Sequence, residues 1–417
     1  MRFELGPSDH GGSITTETVE TSGHPGTALE VLRVFTKLGF TSFGGPIAHL
    51  GFFRSEFVAK RGWIDEEHYA DVVALSQFLP GPASSKVGII MGVLRAGIPG
   101  ALAAWVGFTM PSALALILFG YGVAAFGNLG GAAWLHGLKI VAVAVVAQAV
   151  WGMARNLCPD RERVTIAVAA AALALAMPST TGQVGAIVVG GLIGLWLLPG
   201  ETIALIPLPV RIGRWWSIAS IVLFFGILVG LPFVVAATHN HVLEMFDGFY
   251  RSGSLVFGGG HVVLPLLQAT VVPPGWVSND TFLAGYGAAQ AVPGPLFTFA
   301  AYLGTVIGPA PNGWFGGLIC LVGMFLPSFF LSIGPLPFWN WFRQHPAMRS
   351  VLKGVNAAVV GLLLAALYNP VWTAAIHAPS DFAIGIIAFL MLVMWAVPPW
   401  LVVILGALGA TAVATVL

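Results

Sequence analysis

The chain has 417 residues, 57% hydrophobic and 8% charged, with a net charge of +1, whereas an average soluble domain carries roughly 25% charged residues. That composition excludes a soluble enzyme, and the scattered Lys and Arg exclude the broad basic field that a nucleic-acid partner requires. The cysteines, Cys158 and Cys320, lie far apart without Cys-x-x-Cys or His/Cys ligand spacing, so no disulfide framework, metal site or other cofactor is expected.

Residues 1–27 are polar and mildly acidic and lack a basic stretch leading into an apolar core, so a tail outside the bilayer is expected rather than a signal peptide. A helix needs about 20 residues to cross a hydrocarbon layer ~30 Å thick. Apolar segments of this order fall at 28–53, 69–95, 98–124, 132–153, 163–178 and 182–199. A seventh follows at 215–238, and then six more at 242–268, 281–307, 313–336, 348–368, 381–397 and 399–416. The pattern predicts an all-α polytopic membrane protein with about 9–13 membrane segments.

The first six segments match the last six in order. Phe35–Pro46 and Phe249–Gly260 share five of twelve positions, and LSQFLPGP (Leu75–Pro82) and AAQAVPGP (Ala288–Pro295) share four of eight. Pro111-Ser112 matches Pro327-Ser328, and HGLK from His136 matches KGVN from Lys353. The expected organisation is a polar tail (1–27), a first membrane repeat (28–200), a linker with a connecting transmembrane helix (201–240) and a second membrane repeat (241–417). One unmatched crossing between the halves makes the second enter from the opposite face, which predicts inverted-topology repeats.

Charge placement supports the inversion. With the third to seventh segments each crossing once, Arg95, Arg155, Arg161, Arg163, Arg211, Arg214, Arg343 and Arg349 fall on one side. That side is then cytoplasmic, because cytoplasmic loops collect Lys and Arg. The first two segments of each repeat break this trend if they cross fully, since the loop with Arg54, Lys60 and Arg61 would lie outside. Broken or re-entrant helices, which leave on the side they entered, remove the conflict.

Two Pro-Gly-Pro sets at membrane depth, Pro80-Gly81-Pro82 and Pro293-Gly294-Pro295, remove backbone donors and disfavour helix before them. Transporters place binding sites at such breaks. Ser84, Ser85 and Thr298 lie in the first turn after each break, where free N–H groups and the helix dipole favour an anion. The dipole supplies only about 2 kcal/mol even when partly buried, so cations or a wet cavity are also needed. Lys37 and Arg251, each six residues before its Phe-Gly-Gly set, and Lys86 are the available cations. Snorkelling, or pairing with Glu30, Glu244 or Asp247, is the competing role for the first two. The two sets, Phe43-Gly44-Gly45 and Phe257-Gly258-Gly259, let backbone approach a ligand closely, and are expected to face one another, each near the break of its own repeat. Gln77 and Gln290 precede the breaks as donors to an oxyanion or to freed backbone, and His49 and His261 are read as packing histidines. No nucleophile–base–orienter spacing and no phosphate-binding glycine motif is present, so no enzymatic activity is expected.

The stretches SFGGPIAHLGFFRSEFV, RGWIDEEHYADVVALSQFLPGPASSKVG and RAGIPGALAAWVGFTMPS, together with GSLVFGGGHVVLPLL and GYGAAQAVPGPLFTFAAYLG, closely resemble the chromate transporter family of bacterial and archaeal membrane proteins in its long, two-repeat form. The resemblance covers about residues 30–400. It implies efflux of chromate across the cytoplasmic membrane, driven by the membrane potential or a proton gradient, and hence chromate resistance. Lys86 stands where the family commonly carries an uncharged residue such as Gln. The partners implied are chromate or a similar oxyanion and membrane lipid, with proton coupling and a homodimer left open and no nucleic acid. A sulfate-like anion carrier and a passive anion channel are the alternatives.

Overall fold

The computed structural model describes residues 26–125, 133–177, 179–200, 213–257, 260–338 and 345–416. Most of the expected tail, most of the connection 125–131, the first part of the linker, and Gly258 and Gly259 lie outside the described residues. All regular elements among the described residues are helical.

Helix α1 (Ala28–Thr41) starts at Thr27, whose hydroxyl accepts from Glu30 N at 3.1 Å, relieving one of the free amides of the first turn. It stops at Ser42, and Gly44, at φ 96°, turns the chain into α2 (Gly45–Arg54). A positive φ is closed to most side chains, so the second residue of the Phe-Gly-Gly set is what permits the reversal. Segment 28–53 is therefore a hairpin. Helix α3 (Glu66–Phe78), capped by the Asp65 carboxylate on His68 N, ends at the first Pro-Gly-Pro break. Beyond it, α4 (Ala83–Ala125) runs for 43 residues. A straight helix of that length would measure about 65 Å, twice the hydrocarbon thickness. It is not straight, because Ala96 and Gly97 are non-helical and the backbones of Gly92 and Gly100 pack against one another across the bend. The arm 83–95 therefore runs back along the arm that begins at 98.

The ends of these arms identify their face. Arg95 pairs with Glu30 at 3.3 Å, and the guanidinium groups of Arg61 and Arg95 lie 5.6 and 5.1 Å from the Trp63 ring centroid. The start of α1, the 55–65 connection and the bend at 96–97 thus share one face, and both hairpins leave on the side they entered. This puts Arg54, Lys60 and Arg61 with Arg95, as the positive-inside trend requires.

Arm 98–125 and helices α5 (Ala133–Leu157), α6 (Arg161–Ala176) and α7 (Thr180–Leu197) complete the first half, and α8 (Arg214–Thr238) connects the halves. Only 11% of the apolar stretch of α8 is buried, so it faces lipid on most sides. The second half repeats the plan. Helix α9 (His241–Leu255) is followed by a short turn at Gly260–Val262 and α10 (Val263–Val271). Helix α11 (Asn279–Ala289) then leads through the second break and a turn at Leu296–Thr298 into α12 (Phe299–Val306). The connection after α10 meets the end of α12 through Gly308 N and Trp276 O at 2.9 Å, and Gly304 packs on Gly316 as Gly92 packs on Gly100. Helices α13 (Gly313–Ile333), α14 (Pro346–Ala366), α15 (Pro379–Val393) and α16 (Pro399–Val416) close the chain. Five helices are long and apolar enough to cross a membrane by length and composition, and α6, α7, α15 and α16 are shorter.

The two halves are related by a pseudo-two-fold axis, which is visible in reciprocal contacts. Gly81 N donates to Val256 O at 2.7 Å, and Gly294 N donates to Ser42 O at 2.9 Å. A Cβ on Gly81 would meet Ser328 Oγ, and one on Gly294 would meet Ser112 Oγ. Pro46 and Gly260, which are equivalent positions, face each other, since a Cβ on Gly260 would lie 3.4 Å from Pro46 Cγ, and the axis passes near them. Farther out, Gly194 of α7 packs on Gly354 of α14, and Gly137 of α5 packs on Gly406 and Ala407 of α16. Backbones approach this closely only where side chains are absent, the usual basis of helix association in lipid. Four helical segments before the connector α8 (arm 98–125, α5, α6 and α7) and four after α12 (α13–α16) fit the inverted architecture.

Candidate functional site

The four hairpin tips, at Ser42–Gly45, Leu79–Pro82, Val256–Phe257 and Gln290–Leu296, meet inside the protein. Their pairing corrects the arrangement expected from sequence. Each Phe-Gly-Gly entrance contacts the break of the other repeat, because Gly294 reaches Ser42 and Gly81 reaches Val256. Gly81 and Gly294 lie at φ 102° and 94°, so each break needs its central glycine.

The three cations are engaged elsewhere. Lys37 is 60% exposed and lies 4.0 Å from Glu56, a buried carboxylate that also receives Lys60 and Arg61. Arg251 pairs with Asp247 at 3.0 Å, while Glu30 takes Arg95 and Glu244 takes His241. Lys86 is fully buried, and its Nζ donates to the carbonyl oxygens of Leu79 and, at 3.0 Å, Pro80. It therefore satisfies backbone freed by the first break. Thr298 Oγ1 does comparable work in the second half, donating to Pro295 O at 2.8 Å. Ser84 Oγ lies 3.3 Å from His49 Nδ1, Ser85 is buried, and Gln77 is exposed. His49 packs edge-on to Phe108, as expected of a packing histidine.

One cavity, of about 480 Å³, lies at the junction of the halves. The first repeat contributes Thr41, Phe43, Gly44, Gly45 and Pro46, with Val145 and Gln148 from α5. The second contributes His261, Gln290, Val292, Gly294 and Leu296, with Trp400 at the start of α16. Of the residues anticipated from sequence, Phe43, Gly44, Gly45, Gln290 and Gly294 line it. Lys37, Gln77, Pro80, Gly81, Pro82, Ser84, Ser85, Lys86, Arg251, Phe257, Pro293, Pro295 and Thr298 do not. The lining follows α2 as far as Phe52, two residues before Arg54, and includes exposed Ala396 and Pro398, so the cavity extends toward the arginine-rich face.

No Lys, Arg, Asp or Glu is among the described lining residues. The polar groups are neutral donors. Gln290 Nε2 is buried and makes no hydrogen bond among the described residues. Gln148 donates through Nε2 to Leu392 O at 3.3 Å, and His261 Nδ1 lies 2.8 Å from Tyr286 Oη. The amino end of α2 has no side-chain cap, and Gly44, Gly45 and Pro46 all border the cavity, so its backbone donors and dipole face the space. Hydrogen bonds to a charged group contribute about 1.5–3 kcal/mol each. A few such donors hold a tetrahedral oxyanion only if it keeps part of its water, for which the volume leaves room.

Gln148, His261, Trp400 and the 392–398 turn were not anticipated as lining groups. Gln148 carried a weak sequence signal, as an uncharged polar residue inside an apolar segment. The others reach the cavity only through the interlocking of the repeats.

No solved structure matches the chain. A chromate transport protein of Pseudomonas aeruginosa is 28% identical over 373 residues, 88% of this chain and 86% of the relative. A probable chromate transport protein of Synechococcus elongatus is 25% identical, covering 88% of this chain and 90% of the relative. An uncharacterised transporter of Methanocaldococcus jannaschii is 24% identical, covering 84% and 85%. The profile of the chromate transporter family matches twice, at residues 29–195 and 243–411, one match on each side of the unpaired helix α8. The chain belongs to the chromate transporter family.

Proposed function

We propose that this protein is a secondary active transporter that exports chromate across the cytoplasmic membrane and so confers chromate resistance, without enzymatic activity. The observation that carries the reading is the cavity between Phe43–Pro46 of one repeat and Gln290–Gly294 of the other. The chain reversal at Phe43–Gly45 of the first repeat and the Pro-Gly-Pro break of the second meet there around neutral donors, as at the oxyanion or substrate site of an inverted-repeat carrier. Chromate comes from the family and from the names of the Pseudomonas and Synechococcus relatives. The extension of the cavity toward the arginine-rich, cytoplasmic face suits a carrier that loads inside and releases outside. The remaining anticipated residues act as supports, with Lys86 and Thr298 holding the backbone at the breaks.

The test is uptake of chromate into proteoliposomes, with sulfate in competition and with and without imposed pH and voltage gradients. A carrier gives saturable flux that follows the gradient, a channel gives large, non-saturating electrogenic currents, and a sulfate carrier loses chromate flux to equimolar sulfate. Absence of saturable chromate flux refutes the reading.

A further inference from the structure

The cavity has one titratable side chain among its described lining residues, His261. Its Nδ1 is held 2.8 Å from the hydroxyl of Tyr286, which is fully buried on α11. That leaves Nε2 as the ring nitrogen free for a ligand. The phenol pairs with Nδ1 in either state of the ring, and the charge-assisted bond it accepts from the imidazolium is the stronger of the two. His49, the histidine that follows the Phe-Gly-Gly set of the first repeat two positions farther along, is buried against Phe108 and Ser84 and does not border the cavity.

Charged residues on the surrounding elements include Asp280 of α11, which pairs with Lys139 of α5 at 3.0 Å. Tyr286 faces the ring from α11. The turn Leu296–Thr298 carries no charged residue, and Arg349 and Lys353 of α14 lie in its first turns, with Lys353 Nζ on Pro199 O at 2.8 Å. On α2 the charged residue is Arg54, paired with Glu66 at 2.6 Å. A dianion entering this space has neutral donors and one group that can become a cation.

We propose that His261 is the switchable recognition residue of the cavity: binding of a divalent oxyanion takes up one proton from solvent onto the imidazole, and the imidazolium donates to the anion. Nothing else is transferred, and the loaded cavity carries one negative charge instead of two. The inference rests on the reading of this cavity as the oxyanion site. Because the anion prefers the protonated form, it raises the histidine pKa in the complex, and affinity falls as pH rises above the pKa of the empty site, by at most about tenfold per pH unit.

The test is calorimetric binding of chromate to the full-length protein in lipid nanodiscs, above the pH at which hydrogen chromate has lost its own proton. Buffers of different ionisation heat report the protons taken up. The wild type is expected to take up as much as one proton per chromate and to weaken with rising pH. His261→Gln is expected to bind with pH-independent affinity and no proton uptake. Tyr286→Phe, which removes the partner of Nδ1 but keeps the ring, is expected to shift the midpoint and keep the slope, and carries the test if His261→Gln does not fold. Wild-type slope and uptake in His261→Gln, an unmoved midpoint in Tyr286→Phe, or wild-type chromate binding without proton uptake overturns the histidine assignment alone. Absence of chromate binding at every pH overturns the site itself.

Discussion

Replacing Gly294 by Ala tests both the geometry of the breaks and the asymmetry of the site. Gly294 lies at φ 94°, and a Cβ there would stand 2.9 Å from Ser112 Oγ and 3.2 Å from Phe108 O. The left-handed backbone costs an L-residue about 1–2 kcal/mol. Crowding adds about 1 kcal/mol, the low end for overpacking, because the serine hydroxyl can rotate whereas the Phe108 carbonyl cannot. Reduced freedom of the unfolded chain returns about 0.4–1 kcal/mol, leaving a net destabilisation of about 1–3 kcal/mol. Adding Ser112→Ala should recover the steric part and leave the backbone part. Gly81→Ala is the matched control, with φ 102° and a Cβ that would stand 2.7 Å from Ser328 Oγ. Thermal unfolding should show similar losses for both, since the repeats are equivalent. Chromate flux should not, because Gly294 borders the cavity and Gly81 does not. Apparent affinity is expected to drop about tenfold in Gly294→Ala, equivalent to ~1.4 kcal/mol, and to stay near wild type in Gly81→Ala. Wild-type stability in both variants refutes the argument from backbone conformation, and equal transport losses refute the asymmetric site.

Lys86→Ala removes the donor to Leu79 O and Pro80 O and leaves a hole, so a loss of about 2–5 kcal/mol is expected in thermal unfolding. Apparent chromate affinity should be unchanged in the folded fraction, and a selective affinity loss would return Lys86 to the site. Re-entrant hairpins put the 55–65 and 272–278 connections on opposite faces. Glu67→Cys and Pro274→Cys should therefore label from opposite sides of the membrane, against a low background because Cys158 and Cys320 are buried. Asp160 accepts from Arg163 N and Nε at 2.9 and 2.6 Å, and the Arg163 guanidinium holds its carboxyl below the usual range. A depressed carboxylate pKa contributes stability that is present above the unfolded value, near 3.9, and is lost as pH falls through the folded value. The wild-type melting temperature should thus fall more steeply than that of Asp160→Asn between about pH 5 and pH 3, and parallel curves would remove the pair from the acid response.

The sequence alone carried the architecture, because apolar length, the unmatched segment 215–238, the duplicated Phe-Gly-Gly and Pro-Gly-Pro sets and the placement of arginines are local or one-dimensional signals. The structure adds the capping side chains of Thr27 and Asp65, and it starts the second helical element at Glu66 rather than at 69. Charge placement already favoured the re-entrant hairpins, and the contacts of Arg61 and Arg95 with Trp63 supplied the geometry. Part of the cavity was legible too: Phe43, Gly44, Gly45, Gln290 and Gly294 stand in its wall because backbone breaks are visible as glycine and proline. The partners of the charges and the pairing of the tips were not. Lys37 and Lys86 signal only that a charge lies in an apolar segment, and whether it meets a carboxylate, a freed carbonyl or a ligand depends on residues that interlocking brings near. The same interlocking sends Gly294 to Ser42 and Gly81 to Val256, and it carries His261, Gln148 and Trp400 to one space. Local propensity is written residue by residue along the chain. Which repeat completes which site depends on two halves packing through each other, and only the tertiary structure decides that.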